Sequence, residues 1–114
     1  SDVICRVLKI SENDMPQRAK LIREKLNIKA VTIHPLDGAA VSTKSGTFWF
    51  NGPYTENPKL TTGAGDNYNA GFCSGWLSDF SPEECLATGV YTSGFYVREC
   101  HSPSRAELIN FMEL

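Results

Sequence analysis

A chain of 114 residues, 41% hydrophobic and 21% charged, is one domain or a piece of one, and a two-layer unit or a slice of a larger fold suits it better than a complete multilayer enzyme. Its 11 basic and 13 acidic residues leave a net charge of −2 and no basic stripe, which excludes the electrostatic footprint of a nucleic-acid binder. No apolar run approaches the roughly 20 residues that span a bilayer, and neither a charged n-region nor an h-region opens the chain, so a cytoplasmic protein without a membrane partner is expected.

In chain order, "SDVICRVLKI" alternates weakly and is rich in Val, Ile and Leu, which predicts a buried strand. "SENDMPQRAKLIREKLN" follows as a helix, with Ser11 and Asp14 placed as in a capping box and Leu21, Ile22 and Leu26 on one apolar stripe. "IKAVTIHP" is a second buried strand stopped by Pro35. Strand, helix and strand make a right-handed crossover if the strands are parallel.

The stretch "LDGAAVSTKSGTFWFNGPY" predicts an antiparallel hairpin: strand "AAVST", a tight turn at 44–46, and strand "TFWFN" closed by Gly52-Pro53. Phe48 and Trp49 alternate across it, so core packing and strand pairing are their default roles. "TENPKL" is a polar, proline-broken loop. Three helical stretches follow. "AGDNYNAGFCSGWLSDF" spaces Phe72, Trp76 and Phe80 for a core face, and "SPEECLATGVYTSGFYVREC" starts with Ser81 as N-cap and Pro82 at N1. "SPSRAELINFMEL" repeats the device, with Leu108, Ile109 and Met112 inward.

The four cysteines, Cys5, Cys73, Cys85 and Cys100, have no CxxC spacing, and no Asn-x-Ser/Thr sequon occurs. Buried thiols in a reducing compartment are expected. Neither His34 nor His101 has a second His or Cys at zinc-ligand spacing. His34, ending its strand, is either a satisfied structural residue or a hydrogen-bonding partner for phosphate or adenine.

The chemistry concentrates in "KLTTGAGDNYNAGF", residues 59–72. Gly63-Ala64-Gly65-Asp66 opens a helix whose first N–H groups lack internal partners, and the helix dipole adds roughly half a positive charge there. Asp66 competes with an anion for that potential, a conflict resolved if it serves as a general base beside an arriving phosphoryl group. A Walker loop would need a lysine that is missing, and a dinucleotide fingerprint would need glycine where Tyr68 stands. Local sequence alone leaves a phosphate site and an ordinary helix start equally open, since a first-turn Asp is stabilising in any case.

On Thr61, Thr62, Gly63, Ala64, Gly65, Asp66, Tyr68, Ala70 and Gly71, the chain resembles the second signature of the PfkB carbohydrate kinases, the ribokinase-like family. The order of elements across residues 1–114 resembles only the C-terminal part of that family. The resemblance implies an α/β chain, a C-terminal fragment of a three-layer αβα (Rossmann-like) fold with an antiparallel hairpin, inactive alone. It implies Asp66 as the base that deprotonates a sugar or nucleoside hydroxyl, and the amides of Gly63, Ala64 and Gly65 as the anion hole. ATP would lie between the hairpin and the last helices, with Thr62, Gly38, Gly89, Thr92 and Ser93 as nucleotide contacts and a flat adenine ledge along residues 87–94. The family's Asn-x-x-Glu magnesium motif falls on residues 11–14, giving Asp14 as the Mg²⁺ residue.

The sequence departs from the family at three places. Leu60 replaces the acidic residue near which many relatives bind a monovalent cation, Asp14 is a shortened carboxylate, and His34 replaces the first glycine of Thr-x-Gly-x-x-Gly, with Gly38 one place late. A noncatalytic nucleotide- or phosphate-binding relative, or a structural domain whose motif only caps a helix, are the alternatives. A slice of a larger sheet should also expose an edge and apolar surface, and so self-associate.

Overall fold

The computed structural model describes residues 1–113. Helices α1 (Asp2–Leu8) and α2 (Met15–Leu26) precede strands β1 (Ala30–Ile33), β2 (Gly38–Thr43) and β3 (Gly46–Asn51), and helices α3 (Ala64–Leu77), α4 (Pro82–Glu99) and α5 (Arg105–Met112) follow. The strands form one antiparallel sheet in the order β1-β2-β3. Thr32 stands opposite Val41, and Val41 opposite Phe48.

Central β2 is buried along its whole length, because alternate residues face different layers. Ala39 and Val41 join Tyr68, Phe72, Cys85, Leu86 and Val90 in the main core, with Phe48 and Phe50 packed against it. On the other face Ser42 accepts a hydrogen bond from Arg23 Nε of α2 at 3.1 Å. Helices therefore cover both faces of the sheet, giving three α/β/α layers.

Residues 2–8 are helical where a strand was expected. A short run of Val, Ile and Cys carries no decisive periodicity, and the helix turns Cys5 inward while Val3 and Val7 face out. Lys9, in the left-handed region at φ 58°, ends it. Arg18, almost fully buried, ties α1 down by donating to Asp2 Oδ1 at 2.7 Å and Ser1 Oγ at 3.0 Å. With no strand here, the parallel crossover falls away: the neighbour of β1 is β2, antiparallel.

Asp14 is itself the N-cap of α2, accepting from the Gln17 amide at 3.2 Å. Ser11 lies outside the helix, so the expected capping pair is not formed. Arg18, Ala19 and Ile22 make the inward stripe of α2, and Leu21 and Leu26 are exposed. Ser81 and Ser104 each head a complete capping box, with Glu84 and Glu107 returning the bond.

Glycine sets the spacing of α3 and α4. A Cβ on Gly71 would lie 2.5 Å from the Thr88 carbonyl oxygen, and one on Gly89 would lie 2.7 Å from the Tyr68 ring. The two backbones approach as closely as they do only because both side chains are missing. Trp76, expected in the core, is 39% exposed and stacks on Phe72 instead. On α5 it is Phe111 that packs edge-on against Tyr91 and Phe95, whereas Ile109 and Met112 are exposed. Cys5 and Cys85 are buried, Cys73 and Cys100 exposed, and all four are free. Among the described residues no helix is long and apolar enough to cross a membrane.

Candidate phosphate and nucleotide site

The turn before α3 is held by its carbonyls. Tyr96 Oη, from α4, donates to the Thr62 carbonyl at 2.6 Å. The Gly63 carbonyl accepts from both the backbone N–H and the side-chain Nδ2 of Asn67, at 3.0 and 2.9 Å. Ser102, beyond α4, locks that side chain by donating to Asn67 Oδ1 at 2.7 Å. The Lys59 amide donates to the Val97 carbonyl at 2.8 Å, so the whole approach to the turn is laced to the end of α4.

Gly63 is the N-cap residue at φ 95°, a conformation that favours glycine, and a Cβ there would also strike the Tyr96 hydroxyl at 2.7 Å. The Ala64 amide turns back to the Thr61 carbonyl at 3.0 Å, which uses one of the three donors assigned to the anion hole. No side chain caps α3, so the Gly65 and Asp66 amides meet no competing acceptor from a cap residue. A Cβ on Gly65 would meet nothing within 4 Å. An open helix end with free donors is the geometry that receives an anion. Asp66 sits exposed on the same first turn.

Ala64 and Gly65 form one wall of a cavity of about 290 Å³. The strand ends supply another wall, through His34, Pro35, Gly38 and Gly52, and α4 supplies Val90, Ser93, Gly94 and Val97. The loop after β3 closes it with Pro53, Tyr54, Thr55 and Pro58. No Lys, Arg, Asp or Glu lines it. Apolar walls with a few polar groups suit a flat heteroaromatic ligand whose charge lies at one end.

The structure thus brings together Gly38, Ala64, Gly65 and Ser93 around one cavity, with Gly63 and Asp66 on the adjoining turn. Thr62 lies just outside, its carbonyl held by Tyr96. Gly89 and Thr92 face α3: Gly89 abuts Tyr68, and Thr92 Oγ1 donates to the Thr88 carbonyl beside Gly71. The small residues of α4 therefore serve helix packing at 89 and 92 and the cavity at 93 and 94. Asp14 caps α2 and is not among the cavity residues. Among the described residues no three His, Cys, Asp or Glu side chains converge, so the residues present do not build a Mg²⁺ cage.

Sequence reasoning missed Tyr96 and Ser102, which fix the turn, and the loop residues Pro53, Tyr54 and Pro58. The two prolines were visible as a rigid, donor-poor segment, the one signal that could have marked that wall. Behind the turn, Tyr68 is fully buried and its hydroxyl meets Thr32 Oγ1 at 2.6 Å. Burial pushes its phenol up to about 12. The His34 ring stacks on it, centroids 4.1 Å apart and planes 12° from parallel, and burial pulls the imidazole below its ordinary range.

The sequence model of the prokaryotic ketohexokinase family matches residues 1–114. A ketohexokinase of Haloferax volcanii is 27% identical over 108 residues, covering 95% of this chain and 29% of its own length. A 5-dehydro-2-deoxygluconokinase of Shouchella clausii is 32% identical over 90 residues, covering 79% of this chain and 27% of its own. The chain therefore spans less than a third of these relatives. Among solved structures, a ribokinase from Thermotoga maritima superposes with a TM-score of 0.74 at 21% identity, covering 90% of this chain and 35% of that one. An Arabidopsis thaliana ribokinase complexed with ribose and ATP superposes with a TM-score of 0.70 at 23% identity, covering 80% and 31%. The fold is a fragment of the ribokinase-like architecture.

Proposed function

Because the chain belongs to the prokaryotic ketohexokinase family, we propose that it is the nucleotide-binding, base-carrying C-terminal portion of a sugar kinase that phosphorylates a ketohexose-like sugar from ATP. The observation that carries this reading is the uncapped start of α3, with open space at Gly65, an adjacent exposed carboxylate on Asp66, and a charge-free cavity alongside. The adenine and ribose occupy the cavity between the strand ends and α4. The terminal phosphoryl group lies toward Gly65.

Asp66 takes the proton of the acceptor hydroxyl as its oxygen bonds to phosphorus, and the bond from phosphorus to the bridging oxygen of the departing diphosphate breaks. The first-turn amides and the helix dipole stabilise the charge carried by the transferred oxygens. Magnesium, in this reading, arrives on the nucleotide phosphates and water, since Asp14 is committed to its helix. The sugar pocket would come from the two thirds of the relatives' length that this chain does not match, and so the segment alone is expected to be inactive.

The test is Asp66→Asn in the full-length gene product. Turnover should fall by about 10²–10⁴-fold, while ADP affinity stays near that of the unaltered protein. Unchanged turnover would sink the base assignment. Nucleotide binding without any turnover in the unaltered protein would favour the noncatalytic relative.

A further inference from the structure

His34 is a group that the kinase reading above leaves idle. Its ring lies flat on Tyr68, which is fully buried and fixed through Thr32. Among the described residues neither ring nitrogen has a hydrogen-bond partner, and burial is the sole influence on its protonation. Both nitrogens of this half-buried imidazole stay open to solvent, so each is available to a ligand.

The ring borders two spaces. One is the cavity shared with Gly65 and Ser93. The other is a groove along the free edge of β1, whose charged residues, Asp2 and Arg18, are already paired with each other at 2.7 Å. Neither of these is free to claim the imidazole. On the cavity side there is no charged residue to claim it either.

Position along α3 says which end of a ligand it meets. Tyr68 follows Gly65 by three residues, one turn along the same helix face, so the ring stacked on Tyr68 stands at the open helix start and not at the far wall formed by Val97. We propose that His34 is a ligand-contacting residue that donates a ring N–H to a phosphate oxygen of a bound nucleoside diphosphate or triphosphate, in a cavity that supplies no lysine or arginine for the purpose. The assignment rests on the kinase reading and adds a specific residue to it. An imidazole can do this while neutral, presenting one N–H to the anion, and it gains strength from the charge on the acceptor.

The experiment is calorimetric titration of ADP and of adenosine into the full-length gene product and its His34→Phe variant, which keeps an aromatic ring on Tyr68 and removes both nitrogens. ADP affinity should fall about tenfold or more, in line with loss of a hydrogen bond to a charged group, and adenosine affinity should not change. Equal loss for both ligands, or no loss for ADP, overturns the assignment. If the variant does not fold, the imidazole ¹⁵N resonances of His34 in the unaltered protein decide: a shift with ADP and none with adenosine supports the contact, and no shift with either refutes it. Failure of the unaltered protein to bind ADP at all overturns the kinase reading and this assignment together, whereas normal ADP binding with an indifferent His34 removes this assignment only.

Discussion

The α3–α4 side of the sheet and the α1–β1 side are finished to different standards. Between α3 and α4, glycines bring backbone to backbone, Tyr68 and Leu86 are fully buried, and the turn at Gly63 has its carbonyls held by Asn67 and Tyr96. At the other end, α1 buries Cys5 while Val7 stays 71% exposed, and β1 presents an unpaired edge to a groove. Leu36, just past β1, is 88% exposed. The difference teaches where preorganisation resides. The motif end holds its shape with the contacts it has, and the exposed edge and apolar surface are where neighbouring protein would be most useful.

Breaking the better-finished side should have the largest effect. Gly71→Val places a side chain 2.5 Å from the Thr88 carbonyl and is expected to destabilise by about 3 kcal/mol or more, outweighing any gain in helix propensity. Chemical denaturation measures this; stability equal to the parent would show that the helices are not locked by that contact. The weaker side is sharpened by Arg18→Ala, which removes the donors to Ser1, Asp2, Glu12 and Asn13. Cys5 should then react with a thiol reagent about tenfold faster, with Cys85 still protected. If both thiols speed up together, α1 does not open independently.

A smaller effect is expected from Tyr68→Phe. Thr32 keeps its own bond to the Ala40 carbonyl at 2.8 Å but loses the Tyr68 hydroxyl, a loss of about 1 kcal/mol. A change well above that in a melting experiment would mean that the hydroxyl orders the His34 stack as well.

The smallest effects are in pH. His34, lowered by burial, contributes stability present above its ordinary value of 6.5 and lost as pH falls through its folded value below that. His101, raised chiefly by its bond to Glu107 at 3.1 Å, contributes stability present below 6.5 and lost as pH rises through its folded value above that. Across roughly pH 5 to 8, His34→Phe should flatten the acid limb of the melting profile and His101→Ala the neutral limb. The reverse pattern would invert both assignments.

Much of this was legible in the sequence where the signal is local. The hairpin followed from a tight turn between alternating strands, and Ser81 and Ser104 announced the starts of α4 and α5. The turn at the start of α3 was legible because Gly63, Ala64, Gly65 and Asp66 are contiguous, so the candidate motif and the helix start coincide in a few residues. What was not legible depends on distant partners. Residues 2–8 became helical because docking through Arg18 decides what a short apolar run cannot. Trp76 is exposed because Phe72 and Tyr68 already fill the core face of α3. Gly89 and Thr92 looked like a ledge, but only the crossing of α3 could show that they face a helix. The proline-rich wall of the cavity and the Tyr96 tether join residues far apart in sequence, as the bonds from Tyr96 to Thr62, 34 positions apart, and from Arg98 to Pro53, 45 apart, do.

The emptiness around Gly65 has a practical side. In Gly65→Cys, made after replacement of the exposed Cys73 and Cys100, the new Cβ would meet no neighbour within 4 Å, which makes the position suitable for attaching a small fluorophore. The dye would stand beside the cavity that Gly65 lines, so that its emission reports what enters and, under the proposed function, its bulk acts as a tethered competitor.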